Sequence, residues 1–457
     1  MKRTLLIFTL FASFFASAQD YNLALFDQAI FYSMYEGTVN QPLPANAVRN
    51  TNSSYGRMLT DEDIASIGNT LTLTVTLSPL CDDFDRIGNI NLAFVPKDGE
   101  YVYNAVQRIE LGRFITPFMD LTVEDPYETP YVFQLDNITK ILHDESITSV
   151  YDLWIEFEVY GYQGSPTQGG AVADHPAECT GRNDVYMGSL DLVSTYNPNL
   201  VQGENHFKPL SYKYELKNYT LDGTDAIGQT VRTINFTLDE AVPNAKLYLI
   251  TSNHGSNPGG EEYVRRDHFI YFDDAEVFNY KPGGLSCVPY RVYNTQFNCI
   301  YRICYSNGTW AWRPNNNSSW SWNNWCPGNK IPTRVINLGD LAAGEHSFRI
   351  EVPEAQFVDG QGYFPMSVYM QGYSETLGTP DFEHNTFNIH PNPVADIATI
   401  ETGDQHIKTV TVINALGQTV FEGTTEKIDL SQMQSGIYMV KVQFSNNLTA
   451  TRKIIKK

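Results

Sequence analysis

Leu71-Thr72-Leu73-Thr74-Val75-Thr76-Leu77 alternates apolar and polar residues without a break, and runs on into Cys81-Asp82-Asp83-Phe84-Asp85-Arg86. Strict period two is the mark of a strand with one buried face. Where that strand stops, the chain crowds three carboxylates, a guanidinium and a sulfur. Carboxylates that close cannot all ionise freely, so at least one pKa is expected to move upward. A displaced carboxyl at a strand end suits acid–base chemistry near neutrality. The competing reading is an Asp-rich turn capped by its own side chains.

The same alternation recurs along the chain: Ile90, Leu92 and Phe94; Tyr151, Leu153, Ile155 and Phe157; Ala245, Leu247 and Leu249; Thr333, Val335 and Asn337; Phe348, Ile350 and Val352. Turn residues separate these runs, and helical periodicity is confined to a short stretch near 135–143. That pattern predicts an all-β protein built of antiparallel sandwiches. With 457 residues the chain holds more than one core. Breaks near Tyr196-Asn197-Pro198-Asn199 and across 372–384 divide it into a first folded part, 19–202, and a second, 203–378. A linker, 379–384, and a last module, 385–457, follow.

Lys2 and Arg3 precede an apolar run from Leu5 to Phe15, and Ala16-Ser17-Ala18 supplies small residues at a cleavage position. This is the layout of a secretory leader over 1–18, too short to span a bilayer. No other stretch is long and apolar enough, so no stable membrane insertion is expected. In an exported protein six cysteines favour three disulfides over metal binding, and none forms a Cys-x-x-Cys pair. Fifteen pairings are open. Cys299 and Cys304 are close enough for a small loop, and Cys287 and Cys326 could staple the tryptophan-rich segment between them. That would leave Cys81 with Cys179. The net charge of −21 disfavours nucleic acid and anionic membranes as partners.

The last module reads Asn392-Pro393 with Asp396, then Asn414-Ala415-Leu416-Gly417, then a basic tail, Arg452-Lys453-Ile454-Ile455-Lys456-Lys457. It resembles the C-terminal sorting domain of the type IX secretion system of Bacteroidetes-type bacteria. That resemblance implies passage across the outer membrane and the type IX machinery as a partner.

Upstream lie Thr251-Ser252-Asn253-His254-Gly255, Gly260-Glu261-Glu262-Tyr263, Gly308-Thr309-Trp310 and Trp325-Cys326-Pro327-Gly328. Together with Asp82-Asp83-Phe84-Asp85-Arg86 and Gly112-Arg113-Phe114-Ile115-Thr116-Pro117, and in this order, they resemble the peptide-N-glycosidase F family over about 60–378. The resemblance implies two eight-stranded antiparallel jelly-roll sandwiches side by side, with the sorting domain a third, small β-sandwich. It implies a secreted amidase that hydrolyses the amide between Asn and the first N-acetylglucosamine of an N-glycan, leaving Asp and a glycosylamine. N-glycoproteins or N-glycopeptides would be its substrates, with no metal or organic cofactor. The same architecture serves copper-dependent peptidylglycine monooxygenases. The nine histidines here are scattered, with no His-x-His pair, so copper is not expected.

Carried over residue by residue, the resemblance places the principal catalytic Asp at Asp85 and a substrate-orienting Arg at Arg86. It places the carboxylate of the opposite sandwich at Glu262, beside Tyr263, and a site-lining His at His254. A third acid falls on Glu158, with Glu156 on the same strand face as the alternative. Arg113 reads as a brace between strands. Five of six tryptophans lie within 308–325. Trp310 and Trp325 are expected to pack the second sandwich beside a Cys287–Cys326 bridge, and Trp312, Trp320 and Trp322 to be exposed and stack on sugar. The chain departs from the family at Phe84, where a Trp is usual, and at Gly260 and Val264, where the family has cysteines. A Gly-rich stretch, 161–183, reads as an inserted loop near Glu158.

Two other classes compete. A catalytically silent glycan-binding protein of the same fold is countered by the intact set of Asp85, Arg86 and Glu262. An adhesive surface protein would carry repeats or long Ser/Thr-rich stalks, and the chain has neither. A serine hydrolase is disfavoured by the lack of Gly-x-Ser-x-Gly.

Overall fold

The computed structural model describes residues 20–373 and 387–457, apart from 168, 198, 201–202, 300–301, 313–323, 404, 415–416 and 446–448. The expected leader and linker lie outside these residues. Every strand pairing in its sheets is antiparallel, and the described helices are short.

The deciding stretch forms strand Thr72–Pro79 with alternating burial: Leu73, Val75 and Leu77 are buried, while Thr72, Thr74 and Thr76 are half-buried. It lies in a four-stranded sheet, between Asp184–Ser194 and Thr129–Gln134, with Tyr21–Tyr32 at the other edge. Facing it is a larger sheet of Gln107–Ile115, Ile87–Pro96, Tyr151–Val159, Ser54–Met58 and Val48–Thr51. Leu73 and Val75 meet Ile90, Leu92, Ile155 and Phe157 in one apolar core between the sheets. The edge of the larger sheet is completed from far along the chain by Lys330–Ile331, which pairs with Arg113 and Phe114. The short helix read near 135–143 is Asp136–Leu142.

The second sandwich packs Asn205–Leu216, Phe364–Tyr373, Val242–Thr251 and Arg334–Leu341 against Val231–Leu238, Gly344–Glu351, His268–Phe272 and Ala275–Tyr280. A third, smaller pair of sheets over Asn388–Lys456 has its own core around Val410, Val412, Val440 and Ile454.

The two large sandwiches are joined by apolar contacts and by buried charge. Tyr248, Val335 and Tyr369 of the second belong to the core of the first. Arg113, fully buried, pairs with Glu110 at 2.6 Å and reaches across to Ser252 Oγ and the Pro365 carbonyl, each at 2.8 Å. It is the brace its motif predicts. Three disulfides form: Cys81–Cys179, Cys287–Cys326 and Cys299–Cys304.

Candidate active site

The turn after the deciding strand is built around Asp82. Its buried carboxylate accepts from the Phe84 amide at 3.0 Å and the Tyr162 amide at 2.7 Å. It also takes Arg86 in a two-pronged pair, Nε at 2.7 Å and Nη2 at 3.2 Å. Thr116 closes the turn, accepting from the Arg86 amide at 2.7 Å and donating to the Phe84 carbonyl at 2.9 Å. With Asp82 already holding Arg86, the half-buried Asp85 lacks a full cation partner. Burial first, then the charge of Glu262, pushes the Asp85 carboxyl well above the usual range, against the pull of Arg86.

Glu262 comes from the second sandwich, in a short 3-10 turn, Glu261–Tyr263. Two adjacent glutamates here divide their roles. Glu261 is fully buried and is spent on Arg266, at 2.9 and 3.0 Å, and on the Gln356 amide at 2.7 Å. Glu262 is half-buried, and burial raises it to about 6 against a hydrogen bond from the Gly255 backbone. Tyr263 is exposed, and burial, Glu262 and Asp85 together raise its hydroxyl pKa. Asp85, Glu262 and Tyr263 thus form one electrostatic neighbourhood across the junction. The turn needs glycine at Gly260, where a Cβ would lie 2.1 Å from the Gly255 carbonyl, so the cysteine of the resembled family does not fit this path.

His254 precedes Gly255, whose carbonyl the Glu262 amide reaches. Its Nε2 is 2.7 Å from Ser252 Oγ, which also accepts from Arg113, and its ring stacks 6.0 Å from Trp325. Burial, then Arg113, pushes the imidazole down to about 3, so it is neutral at any working pH.

Glu158 is placed differently. It is buried, and it accepts from Tyr103 and from Lys213 of the second sandwich. Burial is the largest influence and would raise it, yet the Lys213 charge together with hydrogen bonds from Lys213, Tyr103 and Asn89 holds it below the usual range. Glu156, the alternative, is fully buried on Arg108 at 2.7 and 2.8 Å and on Tyr101 at 2.5 Å. Both carboxylates are buried and paired with a cation, Glu158 through an ion pair across the joint. Lys213 had no signal in the sequence beyond its place in Tyr212-Lys213-Tyr214.

Of the tryptophans, Trp325 is buried beside Cys326 as expected, with its Nε1 donating to the Asn253 carbonyl at 3.1 Å. Trp310 departs from expectation. It is 43% exposed on the hairpin Arg302–Cys304/Trp310–Trp312, where it lies over Arg302. Trp320, Trp322 and the Trp312 side chain lie outside the described residues. Among the described residues, no group of three or more His, Cys, Asp or Glu is arranged to hold a metal. A cavity of about 430 Å³ lies elsewhere, lined by Leu111, Phe133, Tyr248, Tyr290, Tyr369 and Phe387 among others; neither Asp85 nor Glu262 reaches it.

The fold resembles the paired β-sandwiches of solved peptide-N-glycosidase structures. Two crystal forms of PNGF-II superpose with TM-scores of 0.56, at 18% and 17% identity, covering 79% and 78% of this chain. In each case the chain spans 66% of the other's length. PNGase F, a glycosylasparaginase from Flavobacterium meningosepticum, aligns at 16% identity over 79% of this chain and 98% of its own, with a TM-score of 0.47. Residues 224–371 match the family "Peptide-N-glycosidase F, C terminal", and residues 388–457 match "Secretion system C-terminal sorting domain". No curated protein matches the chain. Both resemblances read from the sequence are borne out. The sorting domain marks the chain for secretion or display at the cell surface, and no described helix is long and apolar enough to cross a membrane.

Proposed function

We propose that this protein is a secreted amidase that removes N-glycans by hydrolysing the amide between the Asn side chain and N-acetylglucosamine. The observation that carries the reading is the pair Asp85 and Glu262, one carboxyl from each sandwich, both raised by burial, with the charge of Glu262 adding to the rise of Asp85. Two raised carboxyls, one from each sandwich, can divide the work of acid and base between them. Asp85 activates water against the amide carbon, after passing its resting proton toward Glu262 and the leaving nitrogen. Glu262 supports that nitrogen as the C–N bond breaks, and the proton lost by water returns to the pair. The products are Asp and a glycosylamine, with protons balanced. Arg86, fixed on Asp82, keeps Asp85 within reach of ionisation. His254 and Tyr263 line the approach, and Trp312, Trp320 and Trp322 supply stacking surface for sugar. Glu158 serves the joint rather than the sugar.

The test is incubation of the exported chain with a denatured N-glycoprotein, beside Asp85→Asn, with the peptide weighed by mass spectrometry. Conversion of Asn to Asp with loss of the whole glycan, abolished in the variant, supports the amidase. An N-acetylglucosamine left on Asn would mean cleavage between sugars, and binding without turnover would mean a lectin-like protein.

A further inference from the structure

The turn that carries Glu262 is poorly supported by its own backbone. It is three residues long, its Tyr263 amide reaches the Gly260 carbonyl at 3.1 Å, and the Glu262 amide reaches the Gly255 carbonyl only at 3.4 Å. Its outward-facing carbonyls converge instead on one side chain. Asn324 Nδ2 lies 2.9 Å from the Glu261 carbonyl, 2.9 Å from the Glu262 carbonyl and 3.4 Å from the Val264 carbonyl. Three acceptors around one nitrogen fix the amide orientation, because only the NH2 end can donate. Asn324 is 7% exposed, so these bonds are sheltered from water. Trp325, next in the chain, ties down the Asn253 carbonyl, and Cys326 is bonded to Cys287. The clamp therefore rests on a covalently anchored point.

We propose that Asn324 is a positioning residue for the candidate reaction, holding the Glu261–Tyr263 turn so that the Glu262 carboxyl stays recessed opposite Asp85. This rests on the amidase reading, and it assigns Asn324 no contact with substrate. Glu261 anchors the same turn from its other side through Arg266 and Gln356, so loss of Asn324 alone loosens the turn without releasing it.

The test compares the full chain with Asn324→Ala, and with Asn324→Ser, which keeps one donor. Two quantities are measured: kcat and KM on a denatured N-glycopeptide, and the titration of the Glu262 carboxyl by carbon NMR, assigned through Glu262→Gln. A displacement near 1 Å at a reacting group costs on the order of 100-fold in rate. The expected result is a fall in kcat of that order for Asn324→Ala, a smaller fall for Asn324→Ser and little change in KM. The Glu262 midpoint moves from about 6 toward its ordinary 4.5. An unchanged kcat with an unchanged midpoint in a folded variant overturns the proposal. If the wild-type chain is inert toward glycopeptides, the amidase reading fails by itself, and the midpoint still decides whether Asn324 sets the environment of Glu262. If Asn324→Ala does not fold, Asn324→Ser carries both readouts.

Discussion

Carboxylates lie between the two sandwiches in two places, and the two behave in opposite ways. At the joint, Glu158 faces Lys213, Glu156 faces Arg108 and Glu110 faces Arg113, each acid with its own cation. At the mouth, Asp85 faces Glu262, and the neighbouring Arg86 is already bonded to Asp82. Burial acts on both groups. At the joint the Lys213 charge and the hydrogen bonds to Glu158 together offset it and hold Glu158 below its ordinary range; at the mouth burial raises both Asp85 and Glu262, and the charge of Glu262 adds to the rise of Asp85. Buried charge by itself therefore does not mark a reactive site. The missing counter-charge does.

The largest effect is expected at Asp85. Asp85→Asn should reduce deglycosylation by roughly 10²–10⁴-fold, the usual worth of a positioned acid–base group, while leaving the melting temperature unchanged or slightly higher. Loss of both activity and folding would place Asp85 among the structural acids instead.

Next in size is Lys213→Met, which strands Glu158 as a buried charge. It should cost roughly 3–5 kcal/mol in denaturant unfolding, and Glu158→Met in the same chain should recover much of that. The Glu158 pKa is lowered and that of Lys213 raised in the folded state. The pair's stabilisation is therefore fully present between the ordinary values of 4.5 and 10.5. It is lost as pH falls through the lowered Glu158 value or climbs through the raised Lys213 value.

Activity should fall as pH drops through about 6, because a protonated Glu262 leaves the pair without a base. In Glu262→Gln the Asp85 midpoint, followed by NMR, should move down, since the charge that raised it is gone. A midpoint that stays put would separate the two carboxyls electrostatically. The smallest effect belongs to the exposed pair Lys281–Asp267, where Asp267→Asn should change stability by less than about 0.5 kcal/mol.

Much of this was legible in the chain. Alternation at 71–77 gave the strand and its buried face, and the Asp-rich run gave the turn that ends it. Asp82, by contrast, could not be told from Asp85 by alternation or charge alone; only the family resemblance singled out Asp85. One is saturated by Arg86 and two amides; the other is left facing an acid 177 residues away. Glu261 and Glu262 are adjacent and identical in type, and only the position of Arg266 and Gln356 assigns the buried role to Glu261. Glu158 alternates with Phe157 and Val159 as a surface strand residue would; its burial comes from a strand of the other sandwich laid over it. Trp310 reads as a core residue by size, yet it is exposed on a two-stranded hairpin.

Local pattern settled what is local: the period of the strands, the sorting module at the C-terminal end, and the order of the motifs. Tertiary structure decided which of several identical acids meets a cation and which meets another acid. That is set by distances across the junction between sandwiches, which neither residue type nor spacing along the chain encodes.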